Sequence, residues 1–361
     1  MAGRDQLDGS PRVDPSTDPR TNYDYVEGEV ERPGLVADLE DRVAGDVRFD
    51  TYSRELYATD ASAYEVTPIG VVFPRSKADV AAVMTYCADR GIPVLPRGGG
   101  TSLAGQTVNE AVVLDFTRHM DGIIDIDPDE RTVRVQPGVI LGNLNDRLEA
   151  HGLKFAPDPS TADRSAIGGA IGNNTTGAHS LKYGKTDAYV EELEVVLADG
   201  STATLGEVPV DELRSGADPT GSLEERLYAE ALRIVEEEAD AVREAYPSIK
   251  RNVSGYNLDV LVEAAEDGTV NLAKLMVGSE GTLCLVTEAT VSLEPLPATK
   301  SVALLTYRSL IDAMEDVGPI LEHGPAAVEV LDEPLLELAR ELEEFKDTLS
   351  VLPDETNCFL L

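Results

Sequence analysis

The chain has 361 residues and sets 67 acidic against 30 basic side chains, a formal charge of −37 spread along its length, with only eight lysines among the basic residues. That balance opposes nonspecific binding to nucleic acid or anionic lipid and fits a protein kept soluble in a high-salt cytoplasm. The length and a 42% hydrophobic fraction allow about two domains with proper cores. Cys87, Cys284 and Cys358 are too scattered for a disulfide framework or a C-x-x-C metal or cluster site. No stretch approaches the ~18 uninterrupted apolar residues of a membrane span, and no basic-then-apolar leader opens the chain. A cytoplasmic protein is expected, with peripheral attachment to a membrane left open.

Residues 1 to about 34 are rich in Asp, Pro, Arg and Ser and lack periodicity, which predicts a loosely held arm. Leu35–Val43 reads as a short amphipathic helix. Tyr52, Tyr57 and Tyr64, interleaved with Asp60 and Ser62, suit either plain packing or a segment folded back over a ligand domain. Ile69–Pro74 predicts a buried strand, Ser76 caps a helix running to Arg90-Gly91, and Ile92–Leu95 is the next strand. This βαβ unit delivers the loop Pro96-Arg97-Gly98-Gly99-Gly100-Thr101-Ser102-Leu103-Ala104-Gly105-Gln106 at the strand's carboxyl end, where α/β sheets place ligands. Consecutive glycines permit close approach and turns that aim backbone N–H groups into one concavity, which suits phosphate oxygens. Arg97 offers a positive charge, and Thr101 and Ser102 offer hydroxyls. The loop is otherwise an ordinary surface turn, and it matches neither the P-loop nor the G-x-G-x-x-G pattern, which leaves a flavin pyrophosphate as a leading candidate.

Strands are predicted at Ala111–Phe116, Gly122–Ile126 and Arg131–Gln136, then a helix over Val139–His151. A second glycine-rich stretch runs from Pro157-Asp158-Pro159-Ser160 through Gly168-Gly169 and Gly172-Asn173-Asn174 to Thr176-Gly177. Its glycines can bring a helix N-terminus and free N–H groups against an anionic or carbonyl-rich ligand. Asn173, Asn174 and Thr176 are neutral groups suited to a ring edge. Asp199-Gly200 joins strands Val190–Ala198 and Thr202–Leu205 as a hairpin, and a helical region follows from Ser222 to about Ala245. The third stretch, Val277-Gly278-Ser279-Glu280-Gly281-Thr282-Leu283, leads into a strand over Leu285–Leu293. After Pro295-Leu296-Pro297 the pattern restarts as β-α-β-α, with elements at Val302–Tyr307, Leu310–Leu321, Ala326–Leu331 and Leu335–Leu342. The apolar Cys358–Leu361 reads as the start of another strand, so the second domain is expected to be incomplete.

The ordered set Pro96–Gln106, Pro157–Gly177 and Gly278–Leu283, with Tyr183-Gly184 and Ser254–Asp259, resembles the flavin domain of FAD-linked oxidases of the vanillyl-alcohol oxidase/PCMH type. Within these it is most similar to the group formed by glycolate oxidase and D-lactate dehydrogenase. The resemblance covers about Thr67–Leu296. It implies an α+β fold: an arm and short helical segment over 1–65, a two-subdomain FAD-binding domain over 66–296, and the start of an α/β substrate (cap) domain over 297–361.

The resemblance also implies roles. Pro96, Arg97, Gly98, Gly99, Gly100, Thr101, Ser102, Leu103 and Gln106 would hold the FAD pyrophosphate. Pro157, Asp158, Pro159, Ser160, Gly168, Gly169, Gly172, Asn173, Asn174, Thr176, Gly177 and Tyr183 would line the ribityl and isoalloxazine parts. Glu280, Gly281 and Thr282 would close over the cofactor. No histidine stands in the first loop to attach a flavin, so the FAD is expected to be non-covalent, and His119 is expected to lie on the surface. The implied reaction is hydride transfer from C2 of an (R)-2-hydroxy acid, of the D-lactate or glycolate type, to flavin N5. Lys182, Arg251 and Arg164 are candidate carboxylate partners, while Tyr183, Tyr256 and Asn257 border the flavin or pack. A quinone, cytochrome or iron–sulfur partner would take the electrons. Cys284 stands where the group has glycine, and no general base is assigned. His119, His151, His179 and His323 have no spacing that makes a metal site. The alternatives are an FAD-binding module inactive without a partner protein or missing domain, and a related flavoenzyme with another substrate.

Overall fold

The structure, a computed structural model, describes residues 32–361, so the expected arm lies almost wholly outside the described residues. The first lobe is a four-stranded sheet of β1 (Asp46–Arg48), β2 (Gly70–Phe73), β3 (Val94–Arg97) and β4 (Val112–Asp115), in the order β1-β2-β4-β3. β4 runs parallel to both β2 and β3, while β1 is antiparallel at the edge. The helix Lys77–Ala88 makes the crossover, and its N-terminus forms because the Ser76 side chain accepts the Asp79 amide at 3.2 Å. β3 continues through Arg97, so Pro96 and Arg97 belong to the strand and the loop proper opens at Gly98.

The second lobe is an antiparallel sheet of β5 (Ile123–Asp127), β6 (Thr132–Val135), β7 (Val190–Leu197), β8 (Thr202–Leu205) and β9 (Cys284–Ser292), in the order β5-β6-β9-β7-β8. Its central strand β9 alternates buried and half-exposed positions from Leu285 on, the pattern of a sheet covered unequally on its two faces. Helices Leu141–Glu149, Leu223–Glu237 and Leu258–Glu266 cover it, the middle one opened by a capping box between Ser222 and Glu225. Two small pairings absent from the sequence reading, Glu207–Pro209 with Thr269–Asn271 and Leu153–Lys154 with Glu294–Pro295, close its margins.

Each lobe has its own buried cluster, around Leu144, Phe155 and Leu193 in the second and around Val80, Val112 and Leu114 in the first. The clusters are not insulated. Val196 and Leu285 of the second sheet are buried in the first lobe's core, and the helix Lys77–Ala88 reaches the second sheet through a Lys77–Glu194 ion pair and a Thr85 hydroxyl donated to the Asp199 carbonyl.

Residues after 296 form a small unit in which β12 (Cys358–Leu360) lies between β10 (Leu305–Tyr307) and β11 (Val330–Leu331), antiparallel to both. The helices Leu310–Leu321 and Glu333–Glu341 complete it. No described helix is long and apolar enough to cross a membrane.

Candidate functional site

A cavity opens between the two sheets. Pro96, Gly98, Gln106 and Phe116 line it from the first lobe. Gly168, Gly169, Gly172 and Asn173 come from the helix Ile167–Gly172 and its cap, and Ser279, Glu280 and Gly281 from the turn before β9. Ile171, Met276, Cys284 and Val286 supply apolar wall. The gap amounts to about 680 Å³ with its solvent-open mouth included. Across it Gln106 Nε2 donates to Glu280 Oε1 at 3.3 Å, while Gln106 Oε1 is buried without a hydrogen-bond partner. An unpaired buried acceptor is costly, so it marks a place for a ligand donor. A second recess on the outer side of the glycine loop is lined by Gly99, Gly100, Thr101, Leu103, Ser160 and Arg164, and shares Arg97 with the first.

Several residues expected to face the ligand do other work. The Arg97 guanidinium donates to the carbonyls of Tyr57, Thr107 and Thr59 at 3.2, 3.1 and 2.8 Å and lies over the Tyr57 ring. It ties the 57–61 segment across the loop while lining both recesses. Tyr57 Oη donates to Asp115 at 2.5 Å, and burial, reinforced by that carboxylate, raises the phenol pKa. The tyrosine segment therefore does fold over the glycine loop, with the Ala61 amide donating to the Gly100 carbonyl at 3.0 Å.

The glycines have steric reasons beyond ligand approach. A Cβ on Gly99 would stand 1.9 Å from the Arg164 carbonyl oxygen, and one on Gly98 2.8 Å from the Ala166 Cβ. Gly281, at φ +77°, would meet the Pro96 ring at 2.4 Å. Gly169, in contrast, has nothing within 4 Å in that direction. The Thr101 hydroxyl bonds Ser165 Oγ at 3.0 Å, and the Ser102 hydroxyl accepts the Ala104 amide.

The free amides expected at the second stretch are in part spent. Ile167 and Gly168 donate to the Val139 and Pro137 carbonyls at 2.8 Å each. Asn174 is buried and structural: its amide nitrogen donates to Asp187 and Asn257, and its oxygen accepts the Asp187 amide. Asn257 in turn donates to the Lys274 carbonyl. Asp158 is held by the His179 imidazole, and Gly177 packs on the Asp158 backbone. Thr282 donates its hydroxyl proton to the Ser279 carbonyl at 2.6 Å and accepts from Tyr256 Oη at 2.9 Å. Ser102, Pro157, Asp158, Pro159, Asn174, Thr176, Gly177, Tyr183 and Thr282 line neither recess. His119, expected on the surface, is half-buried and bonds the buried Asp46 at 2.9 Å. No group of described residues could hold a metal ion.

The sequence reading missed Phe116, Met276 and Val286, because an apolar cavity wall has the same pattern as core. Cys284 lines the cavity from a buried position, and burial pushes its thiol up to about 12 and that of Cys87 up to about 11. Neither thiol should be alkylated by iodoacetamide in the native chain at pH 8, because the reactive thiolate is absent there. Both should react after unfolding, and mass spectrometry of the labelled peptides checks this.

An apolar cavity, an unpaired buried acceptor and an open glycine face fit a planar, hydrogen-bonding cofactor, and the class follows. Residues 68–206 match the model of the FAD binding domain family, so this part of the chain is an FAD-binding domain, with FAD as its cofactor. Among curated proteins it is 36% identical to a D-2-hydroxyglutarate dehydrogenase of Pseudomonas putida, over 82% of this chain and 29% of that protein. It is 34% identical to the glycolate oxidase subunit GlcD of Bacillus subtilis, over 82% of this chain and 53% of that one. The chain thus spans from under a third to about half the length of these relatives. In fold it is similar to an alkyldihydroxyacetonephosphate synthase, with a TM-score of 0.61 at 18% identity over 93% of this chain and 56% of that one.

Proposed function

We propose that this chain is the flavin-bearing part of an enzyme that oxidises an (R)-2-hydroxy acid, of the D-lactate, glycolate or D-2-hydroxyglutarate type, to the 2-oxo acid. The observation that carries this is the cavity between the sheets, where apolar walls and the unpaired Gln106 Oε1 face one space, together with relatives named for 2-hydroxy-acid chemistry. When bound, FAD supplies the two-electron acceptor for the hydride leaving C2. The chain would hold it without a covalent link. Gly98–Gly100 and Thr101 would take the pyrophosphate; Gly168–Gly172 and Asn173 would border the ring; and Glu280–Gly281 with Gln106 would close over it. The apolar wall of Phe116, Met276 and Val286 keeps water from the reacting carbon. The hydroxyl proton passes to a base that this reading does not assign.

The three cysteines are buried apart and cannot gather round a cluster, so electrons would go to a quinone, a cytochrome or an iron–sulfur protein. This reading treats 66–296 as the flavin domain, 1–65 as the arm and helical segment and 297–361 as the beginning of the substrate region, in a cytoplasmic, salt-adapted protein.

One observation favours a second reading, a flavin module inactive without a partner. Of the 24 exposed large apolar side chains of the described residues, 14 lie between Val302 and Leu361, around a buried cluster of only Ala313, Cys358 and Leu360. Anaerobic mixing in concentrated KCl with (R)-lactate or (R)-2-hydroxyglutarate, while following the visible flavin band, separates the readings. Bleaching is the expected result. A yellow, unresponsive protein supports the second reading, and bleaching by another donor alone points to a related flavoenzyme. A colourless chain that refuses added FAD sinks all three.

A further inference from the structure

The outer recess beside the glycine loop holds a cation with nothing to neutralise it. Its charged lining residues are Arg97, Arg164 and Asp60. The Arg97 guanidinium packs under Gly100, where a Cβ would stand 2.7 Å from its Nη2, and gives its hydrogen bonds to three carbonyls. It also faces the charges of Asp60 and Asp115. Asp60 accepts the Ser62 amide and the Thr107 hydroxyl at 2.8 and 2.9 Å. That group is therefore balanced within itself. Among the described residues the Arg164 side chain has neither an ion pair nor a hydrogen bond. In a chain of charge −37, an arginine left without a carboxylate is a local source of free positive charge.

Donors for an anion surround it. The turn that presents Arg164 is firm: the Ala162 amide donates to the Pro159 carbonyl at 2.9 Å, and the Arg164 and Ser165 amides to the Thr161 carbonyl at 2.8 Å each. The Arg164 carbonyl occupies the place of a Cβ on Gly99, so no side chain separates this turn from the glycine loop. The amides of Gly99, Gly100 and Thr101, which line the recess, donate to no acceptor among the described residues. The hydroxyls of Thr101, Ser165 and Thr161 form a chain, with contacts of 3.0 and 2.8 Å. Three hydroxyl protons serve two bonds there, so one O–H is left to donate outward. Consecutive free amides, a spare hydroxyl proton and an unpaired guanidinium make the donor set of a phosphate site. A carboxylate has two oxygens for this set; a pyrophosphate has enough to engage all of it.

We propose that Arg164, from the second glycine-rich stretch, supplies the positive charge of the FAD pyrophosphate site whose amides come from Gly99–Thr101. The proposal rests on the flavin reading above and adds the cation that reading lacks.

The test is calorimetric titration of the flavin-free chain with FAD, with ADP, which carries a diphosphate without the ring, and with riboflavin, which carries the ring without phosphate. Wild type, Arg164→Gln, Arg164→Lys and Arg147→Gln are compared at low and at concentrated KCl, Arg147 being an exposed arginine on the helix Leu141–Glu149. Arg164→Gln should weaken FAD and ADP about tenfold or more, as loss of charge-assisted bonds to phosphate requires. The deficit should shrink as KCl rises. Arg164→Lys should recover part of it, riboflavin should treat wild type and Arg164→Gln alike, and Arg147→Gln should change nothing. Melting temperatures without ligand should coincide. Unchanged FAD binding by Arg164→Gln, an equal loss for riboflavin, an equal loss in Arg147→Gln, or a loss confined to (R)-lactate binding by the FAD-loaded chain would overturn the proposal and leave the flavin reading standing. Arg164-dependent binding of ADP by a chain that refuses FAD would do the reverse, removing the flavin and keeping the diphosphate site. Refusal of both ligands by wild type would overturn both.

Discussion

Gly99→Ala should cost about 3 kcal/mol or more of stability, at the upper end for overpacking, because the added methyl meets backbone that cannot rotate away. Its Cβ would lie 1.9 Å from the Arg164 carbonyl oxygen and 2.9 Å from the carbonyl carbon. FAD uptake should be lost with the fold of the loop. Gly169→Ala is the informative companion. Nothing lies within 4 Å of its Cβ position, and alanine is the better helix former, so the melting temperature should hold or rise. Its methyl would enter the space lined by that residue, so FAD affinity should fall without loss of stability. Thermal melts with and without FAD, beside a flavin titration, read both variants. Parallel losses of stability in the two would mean that the glycines are interchangeable packing positions.

Arg97→Met should be the other large effect. The methionine keeps much of the buried stem but deletes hydrogen bonds to three carbonyls from Tyr57, Thr59 and Thr107. A charged hydrogen bond contributes roughly 1.5–3 kcal/mol, and orphaned carbonyls add to the loss. About 3 kcal/mol is expected, with early proteolytic cutting near residues 57–61. Arg97→Lys should recover only part of it, since one ammonium cannot reproduce the guanidinium fork. If Arg97→Met instead kept full stability and lost only FAD affinity, the strap would be wrong and the phosphate clamp right.

Much of the fold was legible because its signals are local. Ser76 and Ser222 announce helices, Asp199-Gly200 announces a hairpin, and the apolar runs of β2, β4 and β7 announce buried strands. The sheet order was not legible, since β6 and β9 pair across some 150 intervening residues. For the site, the glycine stretches mark chain segments that line the recesses, but the long-range partners of the side chains around them are not legible in the sequence. Arg97 looks like a phosphate ligand until its carbonyl partners, 38 and 40 residues back and 10 ahead, are placed. Asn174 looks like a ring-edge donor until Asp187 and Asn257 close around it. Phe116, Met276 and Val286 are indistinguishable from core residues until the sheets enclose a gap.

The burial of Val196 and Leu285 inside the other lobe's core governs how the cofactor can be loaded. Two bodies that interlock in this way cannot swing apart like jaws without exposing that core, so entry has to go through local loosening at the Gln106–Glu280 contact. Flavin exchange should then be slow and steeply temperature-dependent, and heating should melt both lobes in a single step.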